Sequence, residues 1–160
     1  MTDIKNLPYR PNVGAMLFNS QGHIFLAKRA DLASDIWQCP QGGIDEGETP
    51  TQAVLRELQE EIGTDHAEIL GEYPEWLSYD LPAHLIGRSL GGKFRGQTQR
   101  WFALRFLGQD DEIRLDLHQP AEFSTWRWVA PEEVLSYNLG FKRDLYTHLV
   151  PALSRLAPPL

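Results

Sequence analysis

The chain has 160 residues, enough for one domain of roughly 150 residues whose core folds without a disulfide or a structural metal. Hydrophobic residues make up 42% and charged residues 23% of it, which excludes a disordered, collagen-like or coiled-coil protein. The formal net charge of −7 disfavours a protein that binds long tracts of DNA or RNA, because such surfaces are basic.

The first residues and the cysteine content bear on the compartment. The N-terminus lacks the apolar segment of a secretory signal, and no uncharged apolar run reaches the ~18 residues of a membrane-spanning helix. The single cysteine, Cys39, excludes an intramolecular disulfide and fits a reducing compartment, and we expect it to be buried as a small apolar side chain. The sequence therefore predicts a cytoplasmic protein with no membrane contact.

The first predicted elements form a β-hairpin. Residues 13–18 and 24–27 are short apolar runs, as is typical of strands. Five residues separate them and include Gly22, which adopts the positive φ of a tight turn without strain.

The clearest predicted helix begins at Thr49 and Pro50. Thr49 is suited to the N-cap, Pro50 to the first helical position, and Gln52 completes a capping box. Gly63 is suited to the C-terminal end of the helix. The apolar residues repeat at helical spacing: Val54, Leu55, Leu58 and Ile62.

The second half of the chain predicts more strands than helices. The predicted strands are residues 69–77, 100–107 and 123–129. A short helix is expected from Pro131, and a final helix from about residue 143 to 155, bent or broken at Pro151. No internal repeat or linker divides the chain, so we expect a single domain over residues 1–160. The order of elements favours an α/β or α+β sandwich with a mixed sheet.

Three glutamates share one face of the predicted helix. Glu57, Glu60 and Glu61 fall within an arc of about 100°, where like charges destabilise an isolated helix. They also lie near the helix C-terminus, where the helix dipole favours cations. A divalent cation with oxygen ligands, Mg²⁺ or Mn²⁺, would remove both conflicts. The alternative is a solvated acidic face balanced by Arg56, four residues before Glu60.

The loop before this helix favours the cation. It contains Gly42 and Gly43, which let the backbone approach a ligand closely, and it leads directly into the helix. Ala53, one turn before Glu57, leaves space on the acidic face.

The loop and the helix together resemble a known motif. The chain matches every charged and glycine position of the Nudix box, G-x5-E-x7-R-E-U-x-E-E-x-G-U, where U is apolar. The matching residues are Gly42, Glu48, Arg56, Glu57, Leu58, Glu60, Glu61 and Gly63. Only Thr64 departs, at a position where the pattern has an apolar residue.

The resemblance extends beyond the box and implies a fold and a reaction. Further matching segments are residues 9–14, 37–43, 99–102, 122–129 and 141–144. They are similar to the branch of Nudix hydrolases that contains bacterial RNA pyrophosphohydrolases and dinucleoside polyphosphate hydrolases. The resemblance implies an α/β/α sandwich with a mixed sheet. It also implies metal-dependent hydrolysis of a nucleoside diphosphate linked to another group.

The resemblance also assigns residues to the catalytic site. Glu57, Glu60 and Glu61 would coordinate Mg²⁺ or Mn²⁺ together with a backbone carbonyl of the loop formed by Gly42 and Gly43. Arg56 would orient these glutamates, and Glu122 would act as a further ligand or as the general base. Which glutamate is the base stays open.

Substrate-binding residues are expected opposite the glutamates. Arg29, Lys142 and Arg10 match phosphate-contacting positions, and Phe141 and Tyr79 are candidates to stack on a base. The alternative for the three cations is ordinary surface charge, and for the two aromatics burial in the core.

Several substrates remain open at this point. The favoured one is the 5′-triphosphate end of RNA, from which pyrophosphate would be removed, and dinucleoside polyphosphates present a similar phosphate chain. The alternatives are a hydrolase of damaged nucleotides and a catalytically silent nucleotide sensor. DNA is not an expected partner, and no protein partner is predicted.

Two other features have structural and functional interpretations. Residues 87–91 match G-x-S-x-G, but the residues that follow do not predict the helix that a catalytic serine elbow requires. Residues 81–109 contain five arginines and lysines and no acidic residue, which indicates either a solvated hairpin or a basic surface for RNA. The five histidines show no zinc-ligand spacing.

Overall fold

The computed structural model describes residues 6–31 and 35–160, and it begins with the predicted hairpin. Strands β1 (Tyr9–Phe18) and β2 (Ile24–Arg29) are antiparallel, and Phe18 lies opposite Ile24. Gly22 in the turn has a φ of 76°. The hairpin is therefore confirmed, and β1 begins four residues earlier than the apolar run indicates.

Two short strands connect the hairpin to the first helix. Strand β3 (Trp37–Gln38) pairs with β2, and strand β4 (Gln41–Gly43) pairs antiparallel with β1. Cys39, between them, is fully buried, as predicted. The pairing of β4 fixes the glycine loop against the sheet.

Helix α1 (Pro50–Ile62) follows the sequence signals at both ends. The Thr49 side chain accepts a hydrogen bond from the Gln52 backbone N–H, and the Gln52 side chain accepts one from the Thr49 N–H. Gly63 ends the helix with a φ of 80°. The helix therefore starts and stops where its caps predict.

The sequence predicts one continuous strand over residues 69–77, and this prediction is wrong. The structure has two strands there, β5 (Ala67–Glu72) and β6 (Leu77–Asp80), and both pair antiparallel with β7 (Gly96–Phe106). Pro74 lies in the interruption, and its lack of an N–H prevents an unbroken ladder.

Strand β7 is the centre of a mixed sheet. It runs parallel to β1 over ten residue pairs and antiparallel to β5 and β6 on its other side. Strand β8 (Phe123–Val129), predicted with these bounds, pairs antiparallel with β2. The eight strands form one sheet.

The C-terminal helix differs from its prediction at one point. The expected helix from Pro131 is a 3-10 helix (Pro131–Ser136), and α2 (Arg143–Ser154) follows it. Helix α2 is not broken at Pro151 but continues to Ser154. Because Pro151 lies in the last turn, the helix loses only one of its final hydrogen bonds there.

Alternate residues of β1 face two separate cores. Val13, Ala15 and Leu17 pack with α1, whereas Met16 and Phe18 pack with the side of the sheet that α2 covers. The helices therefore cover opposite faces, which confirms an α/β/α sandwich with a mixed sheet. Across the described ranges, no helix is long and apolar enough to span a membrane.

The basic segment at residues 81–109 divides into two groups. Three of its cations are engaged by the fold: Arg95 pairs with Asp80, Arg100 pairs with Glu72, and buried Arg105 donates to the carbonyl oxygens of Asn19 and Pro158. Arg88 and Lys93 are exposed. Most of this charge is therefore structural rather than a free surface for RNA.

Candidate active site

The glycine loop, α1 and the ends of β1, β2 and β7 enclose a cavity of about 330 Å³. Nine residues that the sequence predicts as functional line it together. They are Arg10, Arg29, Gly42, Gly43, Glu57, Glu61, Tyr79, Glu122 and Lys142. Residues up to 132 positions apart in the sequence therefore meet at one place.

Arg56 ties α1 to the loop before it. Its Nε and Nη2 donate to the two carboxylate oxygens of Glu48 at 2.7 and 2.9 Å, and Nη2 also donates to the Gly43 carbonyl oxygen at 2.8 Å. Its Nη1 reaches Glu57 at 3.0 Å and Glu60 at 3.1 Å. The hydrogen bonds from Arg56 lower the pKa of Glu48 to about 2. Arg56 thus fixes the positions of Glu57 and Glu60 relative to the loop.

Glu57 lies against the backbone of Gly42. A Cβ atom at Gly42 would lie only 1.9 Å from the Glu57 carboxyl carbon, so a larger residue there would displace the Glu57 carboxyl group. Burial raises the pKa of Glu57 to about 7, against the lowering effect of the Arg56 hydrogen bond. The loop and the helix are therefore in direct contact at this carboxyl group.

Glu61 is the most buried of the acidic residues in the site, with 8% of its surface exposed. Its Oε2 accepts a hydrogen bond from the Gln41 backbone N–H at 3.1 Å. Burial raises the pKa of Glu61 well above its ordinary value, and the charges of Glu57 and Glu122 raise it further. Burial therefore disfavours the charged form of this carboxyl group, even though Lys142 partly offsets the effect.

A second cavity, of about 240 Å³, collects all four predicted acidic ligands. Glu57, Glu60, Glu61 and Glu122 line it together with His118. Their oxygens are the hard donors that Mg²⁺ and Mn²⁺ prefer, and the cations would relieve their mutual repulsion. In residues 6–31 and 35–160, however, no three acidic, histidine or cysteine side chains converge closely enough to hold an ion as they stand. Arg56 occupies one oxygen each of Glu57 and Glu60.

Three cations face the acidic wall. Lys142 is buried, and its Nζ lies 3.5 Å from Gln38 Oε1. Burial lowers the pKa of Lys142 to about 7, and the charge of Arg29 lowers it further. Arg29 makes a two-point ion pair with Asp31, and the Arg10 guanidinium lies beside Gly43.

The two predicted stacking residues lie side by side. The rings of Tyr79 and Phe141 are 5.6 Å apart, and Phe141 is 49% exposed. The Tyr79 hydroxyl donates to Gln97 Oε1 at 2.8 Å, and burial raises its pKa to about 12. Phe141 borders a neighbouring cavity of about 400 Å³ whose wall also includes Ile36, Leu85 and Leu139.

Several residues of the main cavity were not predicted from the sequence. The polar ones are Asn12, Gln38, Gln41 and Gln97, and the loop after β6 adds Leu81, Leu85, Ser89 and Leu90. Asn12, Gln38 and Gln41 lie in segments that carry the family resemblance, which is the only sequence signal that places them near the site.

The loop containing Ser89 forms a 3-10 turn, so the G-x-S-x-G pattern is not a serine elbow.

Carboxylates on one wall and cations on the other suit a phosphate chain with a divalent ion. The cations attract the phosphate oxygens, whereas the carboxylates attract a metal that also binds phosphate. The apolar cavity beside Phe141 offers space for a flat ring next to the charged one.

Comparisons with known proteins agree with this geometry. A family model described as the NUDIX domain matches residues 8–149. A protein of Gluconobacter oxydans named RNA pyrophosphohydrolase is 62% identical over 98% of this chain and 92% of its own length. One of the same name from Rhodospirillum rubrum is 50% identical over 96% of this chain and 92% of its own length.

Solved structures share the fold at lower identity. An E. coli dihydroneopterin triphosphate pyrophosphohydrolase superposes with a TM-score of 0.68 at 20% identity, covering 91% of this chain and 99% of its own. A C. elegans Ap4A hydrolase binary complex gives a TM-score of 0.63 at 19% identity, covering 91% and 98%. The matched family model and the relatives, which cover nearly the whole chain, show that the chain belongs to the Nudix hydrolase family.

Proposed function

We propose that the chain is a hydrolase, dependent on Mg²⁺ or Mn²⁺, that removes pyrophosphate from the 5′-triphosphate end of RNA. The product would be RNA with a 5′-monophosphate. The observation that carries this proposal is the single cavity in which Glu57 and Glu61 face Arg29 and Lys142, with an apolar cavity beside Phe141. The names of the relatives support the substrate class.

The metal would be held by the acidic wall. Glu57, Glu60, Glu61 and Glu122 supply carboxylate oxygens, and a carbonyl of Gly42 or Gly43 supplies one more. When bound, the ion neutralises phosphate charge and makes a coordinated water more acidic. Arg56 engages one oxygen of Glu57 and one of Glu60, so the second oxygen of each would be available to the ion. Arg56 also holds the loop through Glu48 and the Gly43 carbonyl.

The phosphate chain would lie against the opposite wall. Arg29, whose Nε and Nη2 donate to Asp31, has its Nη1 group left for a phosphate oxygen, whereas buried Lys142 offers a point charge. An entering anionic phosphate favours the protonated form of Lys142, whose pKa burial has lowered to about 7. Arg10, between the glycine loop and the cavity, would contact the same chain.

The reaction adds water across the bridge between the α and β phosphates. A water oxygen forms a bond to phosphorus, the bridging P–O bond breaks, and a carboxylate accepts the proton of the water. The candidate acceptors of that proton are the carboxylates that line the cavity, Glu57, Glu61 and Glu122. The products are pyrophosphate and 5′-monophosphorylated RNA.

Dinucleoside polyphosphates are the second candidate substrate. They carry the same bridged phosphate chain, and one of the structural neighbours is described as an Ap4A hydrolase. The apolar cavity beside Phe141 would accept one nucleoside of such a molecule as readily as the first bases of RNA.

One assay panel tests the proposal. Triphosphorylated RNA, diadenosine tetraphosphate and an oxidised nucleoside triphosphate are each incubated with Mg²⁺, with Mn²⁺ or with EDTA, and the products are identified by chromatography. We expect release of pyrophosphate from RNA with either metal and none with EDTA. Rapid turnover of the oxidised nucleotide alone would instead identify a damaged-nucleotide hydrolase, and no turnover of any substrate would identify a sensor.

A further inference from the structure

A chain of buried hydrogen bonds leads from the core to the floor of the active-site cavity. Its innermost member is Trp101, which is fully buried and packs edge-on against Tyr146. The indole Nε1 donates to Gln99 Oε1 at 2.8 Å, and Gln99 is also fully buried. Neither residue lines the cavity.

The indole group determines which way the Gln99 amide faces. An indole N–H donates a hydrogen bond and cannot accept one, so the atom opposite it must be the amide oxygen of Gln99. The Gln99 Nε2 group therefore faces the other way. Leaving it without partners in the core would be unfavourable.

Three side-chain oxygens converge on that Nε2 group. They are Oδ1 of Asn12 at 2.8 Å, Oε1 of Gln41 at 3.1 Å and Oε1 of Gln97 at 3.3 Å. The Nε2 group has two N–H donors, and the oxygens of Asn12 and Gln41 are the nearer two, whereas Gln97 Oε1 also accepts from the Tyr79 hydroxyl. Because their oxygens face Gln99, Asn12 and Gln41 each have only the amide nitrogen left for their other side, where Gln41 also meets the Tyr79 hydroxyl. All three side chains line the active-site cavity.

The sheet holds this arrangement in register. Asn12 lies opposite Gln99, and Gly14 lies opposite Trp101, in the parallel pairing of β1 and β7. A Cβ atom at Gly14 would lie 2.4 Å from the Trp101 ring, so the glycine makes room for the indole. The backbone of Gln41 in turn donates to Glu61, which connects the chain of hydrogen bonds to the acidic wall.

We infer that Trp101 and Gln99 are positioning residues that turn the amide N–H groups of Asn12 and Gln41 towards the cavity, where they donate to phosphate oxygens. Two neutral donors thus supplement the cations without adding charge that would have to be desolvated. If either amide turned over, its oxygen would face the phosphate and repel it. The inference rests on the proposed function, because it takes a phosphate chain as the ligand.

The first test removes the indole N–H. Trp101→Phe keeps an aromatic side chain in the core, although a smaller one, and leaves Gln99 free to turn over. We therefore expect the KM for triphosphorylated RNA to rise about tenfold and kcat to stay within about twofold. The matched control is Trp128→Phe, which removes a hydrogen bond to Asp110 outside this cavity and should leave both constants unchanged. A Trp101→Phe variant with unchanged KM would overturn the inference.

A double-variant cycle separates orientation from packing. Gln99→Met removes both ends of the amide at similar volume, and we expect it to weaken binding as much as Trp101→Phe does. Adding Trp101→Phe to Gln99→Met should then have no further effect, because the indole acts only through Gln99. A further tenfold loss in the double variant would show a packing role and overturn the inference. Should Trp101→Phe not fold, Gln99→Met alone decides, with unchanged binding counting against it.

A binding readout keeps this inference separate from the proposed function. Calorimetric titration with inorganic tripolyphosphate is expected to give a Kd about tenfold higher in either single variant than in the unmodified chain. If the unmodified chain binds tripolyphosphate but does not hydrolyse triphosphorylated RNA, the proposed function fails and the titration still decides on Trp101 and Gln99. If it hydrolyses triphosphorylated RNA but binds no tripolyphosphate, the inference is overturned and the proposed function stands.

Discussion

At the scale of single residues, the acidic wall combines carboxyl groups that differ in their surroundings. Glu61 is buried and faces other acids, Glu57 is partly shielded by Arg56, and Glu48 is fully engaged by the same arginine. Burial disfavours the charged form of the first two, whereas hydrogen bonds favour it in the third. Of these three, Glu57 and Glu61 are therefore the ones whose charged form an arriving cation would stabilise.

Replacing Glu57 should lower the activity without lowering the stability of the fold. In Glu57→Gln we expect kcat for triphosphorylated RNA to fall at least a hundredfold, because a metal ligand or proton acceptor is lost. The melting temperature should not fall, since burial of the charge at Glu57 opposes folding. Glu75→Gln, an exposed glutamate in the turn between β5 and β6, is the control. Undiminished turnover in Glu57→Gln would refute its place in the catalytic machinery.

Replacing Lys142 should weaken substrate binding without harming the fold. The buried ammonium of Lys142 is unfavourable in the free protein, as its lowered pKa of about 7 shows. Lys142→Gln should therefore keep or raise the melting temperature while the KM for triphosphorylated RNA rises about tenfold. Lys93→Gln changes an exposed lysine and should alter neither quantity. An unchanged KM in Lys142→Gln would place the phosphate elsewhere.

At the scale of elements, the ion pair between Glu48 and Arg56 is one of the contacts that hold the loop before α1 to the helix. The pKa of Glu48 falls from its ordinary 4.5 to about 2 on folding, so the pair stabilises the fold above pH 4.5. That stabilisation is lost progressively as the pH falls from 4.5 towards 2.

The pH dependence of this ion pair gives a prediction for Glu48→Gln. The free energy of unfolding of the variant, measured in urea, should lie below that of the unmodified chain at pH 7. The difference between the two should shrink at pH 3. Glu46→Gln, an exposed residue of the same loop, is the control and should leave the free energy of unfolding at pH 7 unchanged. A difference that stays constant between the two pH values would contradict the assignment.

The end of α1 gives a second prediction at this scale. Gly63 and Gly47 have φ angles of 80° and 79°, but a Cβ atom at Gly63 would lie 2.7 Å from the Arg114 carbonyl oxygen, whereas Gly47 has open space. We expect Gly47→Ala to cost about 1 kcal/mol, from the backbone alone, and Gly63→Ala clearly more. Equal losses in urea unfolding would mean that the Arg114 contact adds nothing.

The elements that sequence alone predicts are those with local signals. Thr49, Gln52 and Gly63 are enough to place α1, because each acts on backbone within four residues. The break between β5 and β6 at Pro74 was missed, since apolar residues on both sides read as one strand. Asn12 and Gln99 were missed as partners because their pairing depends on two strands 87 residues apart.

At the scale of the whole molecule, the net charge of −7 is a sum of unlike parts. The glutamates concentrated on one wall of the site add to the acidic side, and Arg29, Lys142 and Arg10 face them across the cavity. Overall charge therefore says little about whether the chain binds a phosphorylated end, although it still disfavours wrapping of long nucleic acid.

Metal binding should be visible in the stability of the whole chain. With Mg²⁺ or Mn²⁺ at a hundred times its Kd, linkage raises the free energy of unfolding by about 2.7 kcal/mol. We expect the melting temperature to rise with the metal, to return to its starting value with EDTA, and to respond much less in Glu57→Gln. A metal-independent melting temperature in the unmodified chain would oppose the proposed site.

The parallel pairing of β1 and β7 has a consequence for folding. Tyr9–Phe18 meets Gly96–Phe106 only after the ends of a long segment have closed, and such distant contacts form slowly. A nascent chain emerging from the ribosome thus contains the whole Nudix box before it contains the strand that orients the cavity amides. Until residue 106 has left the ribosomal tunnel, β1 lacks the parallel strand that completes the site beside the acidic helix.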